Sequence, residues 1–190
     1  MRGLLFLSRL GLKSISSKDL AELVGVPPWQ IRKDFSYFGD FGVRGVGYEI
    51  DNLLKQIKKI LKLDVVHKAA LVGVGNLGSA VLTHPGFKLY SFDIAAAFDK
   101  NPKKVGRKIE DVVVEDVSSL RTLRRRKIKI GIIAVPRQVA QETADKLVNV
   151  GIKGILNFSP RYITVPKKIK VITIDIGMDL ARLPYYMPSC

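Results

Sequence analysis

The stretch "LVGVGNLGS", Leu71 to Ser79, decides the fold of this 190-residue chain. Gly73, Gly75 and Gly78 form a G-x-G-x-x-G pattern, with Val74, Asn76 and Leu77 between them. Alone the pattern is weak. Here an apolar run beginning at Lys68 precedes it, reading as a buried strand, and "NLGSAVLTH" after it opens a helix that Pro85 ends. Strand, glycine turn and helix in that order are what a dinucleotide-binding turn requires. The first glycine permits the tight turn, the second lets backbone approach a pyrophosphate, and the third lets helix pack closely on strand. The helix N-terminus adds unpaired N–H groups and a positive dipole. Asp99 ends a second apolar run, "IAAAFD" (Ile94–Asp99). It follows the last glycine by about twenty residues, where a carboxylate accepts the hydroxyls of an adenosine ribose.

Beyond that point the rhythm continues. "VSSLRTLRRR" reads as a short helix and "KIKIGIIAVP" as a third strand. "RQVAQETADKLVNVG" is a helix with Val139, Ala140, Thr143, Leu147 and Val148 inward, and "GILNFSP" and "IKVITID" are further buried strands. Buried strands alternating with helices predict a parallel sheet covered on both faces. Ligands of such sheets bind beyond the carboxyl ends of the strands. Val135 and Pro136 in "AVPR" and Asn157 in "NFSP" are therefore expected to line the cofactor pocket, although proline there also serves simply to end a strand. The carboxylate of Asp99 would repel a 2′-phosphate and so favours NADH/NAD+ over the phosphorylated dinucleotides. Lys100, Lys103 and Lys104 nearby would suit a 2′-phosphate, or only a solvated loop.

The first part of the chain has a different pattern. "ISSKDLAELVG" offers Ser16 and Ser17 as helix N-caps, places Leu20, Leu23 and Val24 on one face, and stops at Gly25. "VPPWQIRKDFSYF" restarts a helix after a short turn, which is helix-turn-helix spacing. Projected at about 100° per residue, Ile31, Phe35 and Phe38 share one face. Trp29, Lys33, Ser36 and Tyr37 lie opposite, with Gln30 and Arg32 on the flanks. Such a face suits a recognition helix, where Arg and Gln read base edges and Lys and Tyr hold phosphates; a solvated amphipathic helix fits it equally well. "SYFGDFGVRGVGY" (Ser36 to Tyr48) follows, with a turn at residues 39–42 and then a small hairpin wing in which Arg44 can reach a phosphate or a narrow minor groove. "EIDNLLKQIKKILKLD" is a further amphipathic helix, with Ile50, Leu53, Leu54, Ile57, Ile60 and Leu61 as its stripe.

Composition narrows the class of function. The formal net charge is +15, which favours a polyanionic partner. The surplus is spread over both parts of the chain, so total charge does not place a nucleic-acid site. No apolar run reaches the ~18 residues of a membrane span, and the N-terminal segment reads as a short helix, so cytoplasmic residence is the default. Cys190 is the only cysteine, which excludes an internal disulfide and a cysteine-built metal cluster within one chain; no metal is expected. Hydride-transfer enzymes usually place an acid or base beside the substrate. The histidines are only His67 and His84, no Tyr-x-x-x-Lys pair is present, and little chain is left for a substrate domain. Binding without turnover is the better reading. A dinucleotide-dependent oxidoreductase and a CoA-binding Rossmann module are the alternatives.

The segments "SSKDLAE", "QIRKDFSYFGDFGVRGVGY", "GVGNLGSA", "FDKNPKKVG", "AVPRQVAQ" and "VGIKGILNFSP" together resemble the Rex family of bacterial redox-sensing transcriptional repressors, collinearly over nearly the whole chain. The resemblance implies a winged-helix DNA-binding domain over residues 1–66, a Rossmann-like NAD(H)-binding domain over 67–174, and a C-terminal dimerisation helix over 175–190 that swaps between protomers. It implies a homodimer on a palindromic DNA operator, released when NADH binds, while NAD+ competes but permits DNA binding. Carried over by motif, Ser17, Gln30, Arg32, Lys33, Tyr37 and Arg44 fall in the DNA-binding surface, and Gly73 to Gly78 with Asp99 in the cofactor site. His84 stands where some members have a tyrosine that pairs with a C-terminal acid, which would be Asp175 here. The chain departs from the family in its short N-terminus and in Pro184, which interrupts the C-terminal helix.

Overall fold

The computed structural model describes residues 1–39, 41–43 and 46–187. The chain divides into two compact units, Met1–Val65 and Val66–Cys190.

The first unit contains α1 (Arg2–Arg9), β1 (Ser14–Ile15), α2 (Ser17–Val24), α3 (Pro28–Ser36), β2 (Gly42–Val43), β3 (Gly47–Glu49) and α4 (Ile50–Ile60). Ser16, not Ser17, caps α2: its hydroxyl accepts the Asp19 N–H at 3.1 Å. Gly25 ends that helix and Pro28 occupies the first turn of α3, where its missing N–H costs nothing. Two helices with a three-residue turn between them are thus set by one serine, one glycine and one proline. The hairpin expected after α3 is present, with β2 antiparallel to β3, and β1 adds a strand on the other side of β3. Leu4, Leu20, Ile31, Tyr48, Ile50 and Leu53 are buried in the core. Five expected core residues are not: of the face expected on α2 only Leu20 is buried, Leu23 and Val24 being exposed near the helix end. Phe38 is 59% exposed, because α3 stops at Ser36 and the helical projection no longer applies to it. Phe41 takes the place instead, edge-on to Phe35 at 5.5 Å. Ile60 and Leu61 at the end of α4 are exposed as well.

The second unit contains β4 (His67–Val72), α5 (Asn76–Thr83), α6 (Gly86–Leu89), β5 (Phe92–Asp99), β6 (Lys108–Ile109), β7 (Val112–Asp116), α7 (Thr122–Arg125), β8 (Ile130–Ile133), α8 (Ala140–Asn149), β9 (Gly154–Asn157), β10 (Lys170–Thr173), α9 (Ile176–Ala181) and α10 (Leu183–Tyr186). The seven strands run in the order β10-β9-β8-β4-β5-β7-β6. All pairs are parallel except β6 with β7. Strand order reverses between β4 and β8, which makes their carboxyl ends the switch point where such sheets bind ligands. One face packs on α7 and α8 through Phe98, Leu123, Ile133, Ala144 and Leu147; the other packs on α5 through Leu71, Val81, Leu82 and Ala97.

Two departures from the expected sheet stand out. The β6–β7 hairpin gave no clear sequence signal, its first strand being two residues long. The second face is only half covered. No helix connects β9 to β10, so residues 158–169 cross as a loop and β10 is an exposed edge rather than a buried strand, with Ile172 57% exposed. A cleft of about 370 Å³ remains on that face, lined by Ile94, Ile130, Ile132, Leu156 and Ile172. Asp175 caps α9, accepting the Met178 N–H at 3.0 Å, and Pro184 lies in the first turn of α10. No residue of α9 or α10 is buried.

Candidate functional site

The glycine turn joins β4 to α5 at the switch point. Gly73 has φ of +95°, and a Cβ there would lie 2.5 Å from the Ala134 carbonyl oxygen at the end of β8. A Cβ on Gly78 would lie 1.9 Å from the Gly73 oxygen, so helix and strand meet this closely only because neither residue has a side chain. Gly75 differs. It is the N-cap of α5 in an extended conformation, and a Cβ there meets nothing within 4 Å. Two glycines hold the turn together and one leaves open space in front of the helix N-terminus.

Asp99, at the end of the neighbouring β5, is 7% exposed and clamps this turn. Its Oδ2 accepts the Val74 N–H at 2.8 Å and its Oδ1 accepts the Asn101 N–H at 2.8 Å. The Lys104 Nζ lies 3.4 Å from Oδ2. Burial pushes the Asp99 carboxyl up, but the two backbone N–H groups and Lys104 outweigh it and hold the pKa below the ordinary carboxylate value. The group is therefore an anion in the neutral range, with oxygen lone pairs left for further donors.

A cavity of about 330 Å³ opens over these residues, within the range of small-molecule sites. Gly73 and Gly75 form one wall, Asp99 and Lys104 another, and Val135 and Pro136 from the end of β8 a third. Thr143 and Lys146 of α8 also line it; sequence reasoning missed them, since only the amphipathic spacing of α8 after "AVPR" points inward. A smaller adjoining cavity of about 200 Å³ is lined by Val74, Asn76, Lys104 and Arg107. Leu77 lines neither cavity and is 39% exposed, while Gly78 is buried in the helix–strand contact. Asn157, expected at the pocket, does not line it. It is fully buried, and its amide donates to the carbonyls of Ser159 and Arg161 and accepts the Ser159 N–H. It braces the loop that replaces a helix between β9 and β10. His84 accepts the Gly86 N–H at 2.8 Å and Asp175 caps α9, so each is engaged locally.

In the first unit, α3 presents Trp29, Lys33, Ser36 and Tyr37 to solvent; Tyr37 is just past the last helical residue and 73% exposed. The Gln30 amide donates to Asp34 at 2.6 Å, and the Arg32 guanidinium donates to the Ser17 hydroxyl at 3.2 Å. A groove of about 450 Å³ between α3 and the hairpin is lined by Ser17, Arg32, Ser36, Val43 and Tyr48. Burial raises the Tyr48 pKa despite the nearby Arg32. Arg44 lies outside the described residues. Among the described residues no helix is long and apolar enough to cross a membrane, and no group of three or more His, Cys, Asp or Glu could hold a metal ion.

The chain is 44% identical to the redox-sensing transcriptional repressor Rex of Desulfitobacterium hafniense over 97% of its own length and 88% of that protein. It is 42% identical to the protein of the same name in Chloroflexus aurantiacus, over 98% and 88%. The chain belongs to the Rex family. A Rex-family repressor crystallised with NAD+ and operator DNA superposes with a TM-score of 0.91 at 39% identity, over 97% of this chain and 86% of that one. The same repressor with NADH superposes at 0.88. The model of the CoA-binding domain family matches residues 64–161, and that of a putative DNA-binding protein N-terminus matches residues 1–36. The Rex relatives are named transcriptional repressors, not enzymes.

Two outcomes follow from this geometry. Gly78→Ala should destabilise the second unit by about 1–3 kcal/mol, read as a lower urea midpoint. Gly75→Ala should leave that midpoint unchanged, because a Cβ there meets nothing. The clamp on Val74 should also depend on pH. Asp99 has a depressed folded pKa, so its stabilisation is complete above its ordinary, unfolded pKa and is lost as pH falls through the folded value. The stability difference between the natural chain and Asp99→Asn should therefore be constant at neutral pH and vanish in strong acid, as followed by urea unfolding at several pH values.

Proposed function

We propose that this chain is a homodimeric, cytoplasmic transcriptional repressor that binds a near-palindromic operator through its first unit and releases it when NADH occupies the second. One observation carries the reading: a helix-turn-helix with its hairpin and a glycine turn clamped by an aspartate occur in one chain, 97% of which matches a repressor solved with both kinds of ligand. NADH/NAD+ is the regulatory ligand. The pyrophosphate approaches Gly75 and the N-terminus of α5, the adenosine ribose meets the free lone pairs of Asp99, and Val135 and Pro136 cover the ring side. Arg32, Lys33, Tyr37 and Arg44 contact DNA phosphates and bases. Ser17 orients Arg32, and Gln30 reads a base edge once it leaves Asp34.

The homodimer is supported by two surfaces that one chain leaves unmatched. The cleft on β8, β9 and β10 is almost wholly apolar, and the C-terminal helices expose Ile176, Met178, Leu180, Leu183 and Tyr185. Residues 175–190 of one protomer docking on its partner would cover both, and would carry Asp175 to the partner's face, where His84, whose Nδ1 already accepts the Gly86 N–H, is the candidate donor through its other ring nitrogen. The shared sheet accounts for the CoA-domain match; titration of NADH fluorescence with CoA as competitor separates the two ligands.

Operator affinity measured with NADH and NAD+ added separately tests the switch: NADH should weaken it strongly and NAD+ little, and no effect of either would leave DNA binding without redox control. Leu180→Glu with Leu183→Glu should convert the dimer to a monomer in sedimentation without unfolding it, since both side chains are exposed within their own chain. A dimer of unchanged affinity would move the interface elsewhere.

A further inference from the structure

The cofactor cavity and the α3 surface leave one strongly charged feature unexplained. Residues 121–129, "RTLRRRKIK", hold six cations and no carboxylate. They lead from α7 into β8 at the amino-terminal edge of the sheet, the edge opposite the glycine turn. Lys129 immediately precedes Ile130, which pairs with Gly154, and Lys153 immediately precedes Gly154. The Lys153 N–H bonds to the Lys129 carbonyl at 2.7 Å, so the two lysines are neighbours across adjacent strands. On the other side, Lys68 immediately precedes Ala69, which pairs with Ile130, and extends the row to β4. Strands spaced about 4.8 Å apart thus set three lysines side by side. All three are exposed, as are Arg125 and Lys127.

Little neutralises this row among the described residues. Among the described residues, Arg126 pairs with Glu115 at 2.7 Å, and none of the other cations in the row has an ion-pair partner. Asp93 stands in register with Lys68 on β5, so the uncompensated charge centres on β8 and β9. Like charges on neighbouring strands oppose sheet formation; a polyanion would relieve that repulsion. The dinucleotide cannot be that anion, because its phosphates belong at the carboxyl ends of the strands.

The surface also indicates what kind of partner it fits. Protein-binding hot spots are built on buried aromatic and aliphatic anchors, and no large hydrophobic residue between residues 114 and 161 is exposed. Asp93 and the exposed Val65 and Val66 lie at the Lys68 end, but around Lys129 and Lys153 the edge is cationic and solvated, which matches the sequence-independent phosphate contacts of nucleic acid. We propose that the amino-terminal edge of the sheet, centred on Lys129 and Lys153, contacts the phosphate backbone of duplex DNA flanking the operator, adding affinity without reading sequence. This rests on the repressor reading above.

The test compares the full chain with its Lys129→Gln/Lys153→Gln variant on two duplexes, one trimmed to the palindrome and one with long flanks. Binding is measured across a salt series. The variant should lower the salt slope on the flanked duplex by about 2, at roughly 0.9 for each phosphate that is no longer neutralised, and leave the trimmed duplex unaffected. NADH affinity should not change, which reports an intact second unit; if it does, Lys153→Gln alone carries the test, with a slope change of about 1. Equal slopes for variant and natural chain on the flanked duplex overturn the proposal. So does an equal drop on both duplexes, or the same drop from Lys88→Gln/Lys108→Gln, either of which would assign the effect to net charge. Failure of the natural chain to bind the palindrome at all would overturn the repressor reading as well.

Discussion

The hydrogen bond from the Val74 N–H to the Asp99 carboxylate ties the glycine turn to the end of the neighbouring strand, and the site depends on it. The turn itself is permissive. Gly73 and Gly75 restrict their own backbone little, so the loop needs an external partner to hold one shape. Asp99 supplies it from a buried position, where an unpaired carboxylate would be costly and a paired one is firmly placed. The second oxygen is fixed by the Asn101 N–H, which keeps the carboxylate from rotating out of line. One acid thus orders the glycine turn and, on the proposed reading, still offers charge to a ribose. Lys104 beside it limits that charge and lies on the border of both cavities.

Much of this was legible because the signals were local. A glycine pattern after an apolar run, an aspartate ending the next run, and a serine, a glycine and two prolines punctuating two short helices each act over a few residues. What could not be read depended on partners distant in sequence. Asn157 sits at the right end of the right strand, yet its amide is consumed by the loop over residues 158–161. Nothing in "NFSP" distinguishes a brace from a ligand contact. Phe38 fails for a related reason: helical projection assumes a helix, and α3 ends two residues earlier. The strand at β10 was legible as a strand but not as an exposed one, because burial is decided by what crosses from β9, and a loop crosses instead of a helix.

That loop has a structural consequence. It is held by Gln141, whose amide spans Asp145 and the Thr164 backbone, and by the Arg161 guanidinium on the Arg137 carbonyl. With the crossover kept flat against the α8 side, the opposite face of β9 and β10 is left largely uncovered among the described residues. An apolar face of this kind and an apolar C-terminal segment that buries nothing are hard to maintain in water separately. Each is the kind of surface the other would satisfy. Pro184 divides the segment into two short helices, and isolated helices of that length are marginal. The segment therefore gains most of its order from whatever it docks on.

This bears on how a ligand in one unit could govern a surface in the other. The two units have separate cores: the residues buried around Ile50 and Leu53 belong to one, and those around Phe98 and Leu147 to the other. A ligand changes DNA affinity only through a difference in its own affinity between two states. Repacking a winged helix from a glycine turn in the other unit would demand a large share of that difference. On the proposed reading a smaller change suffices. Two copies of α3 must meet two half-sites whose separation is set by the DNA helix. A dinucleotide that alters only how two second units dock on each other would move the α3 pair off that spacing, leaving every base contact in each copy chemically intact. The requirement on the fold is then a docking interface with two arrangements of similar free energy. An apolar cleft covered by two short, proline-divided helices, with little stability of their own, is suited to that.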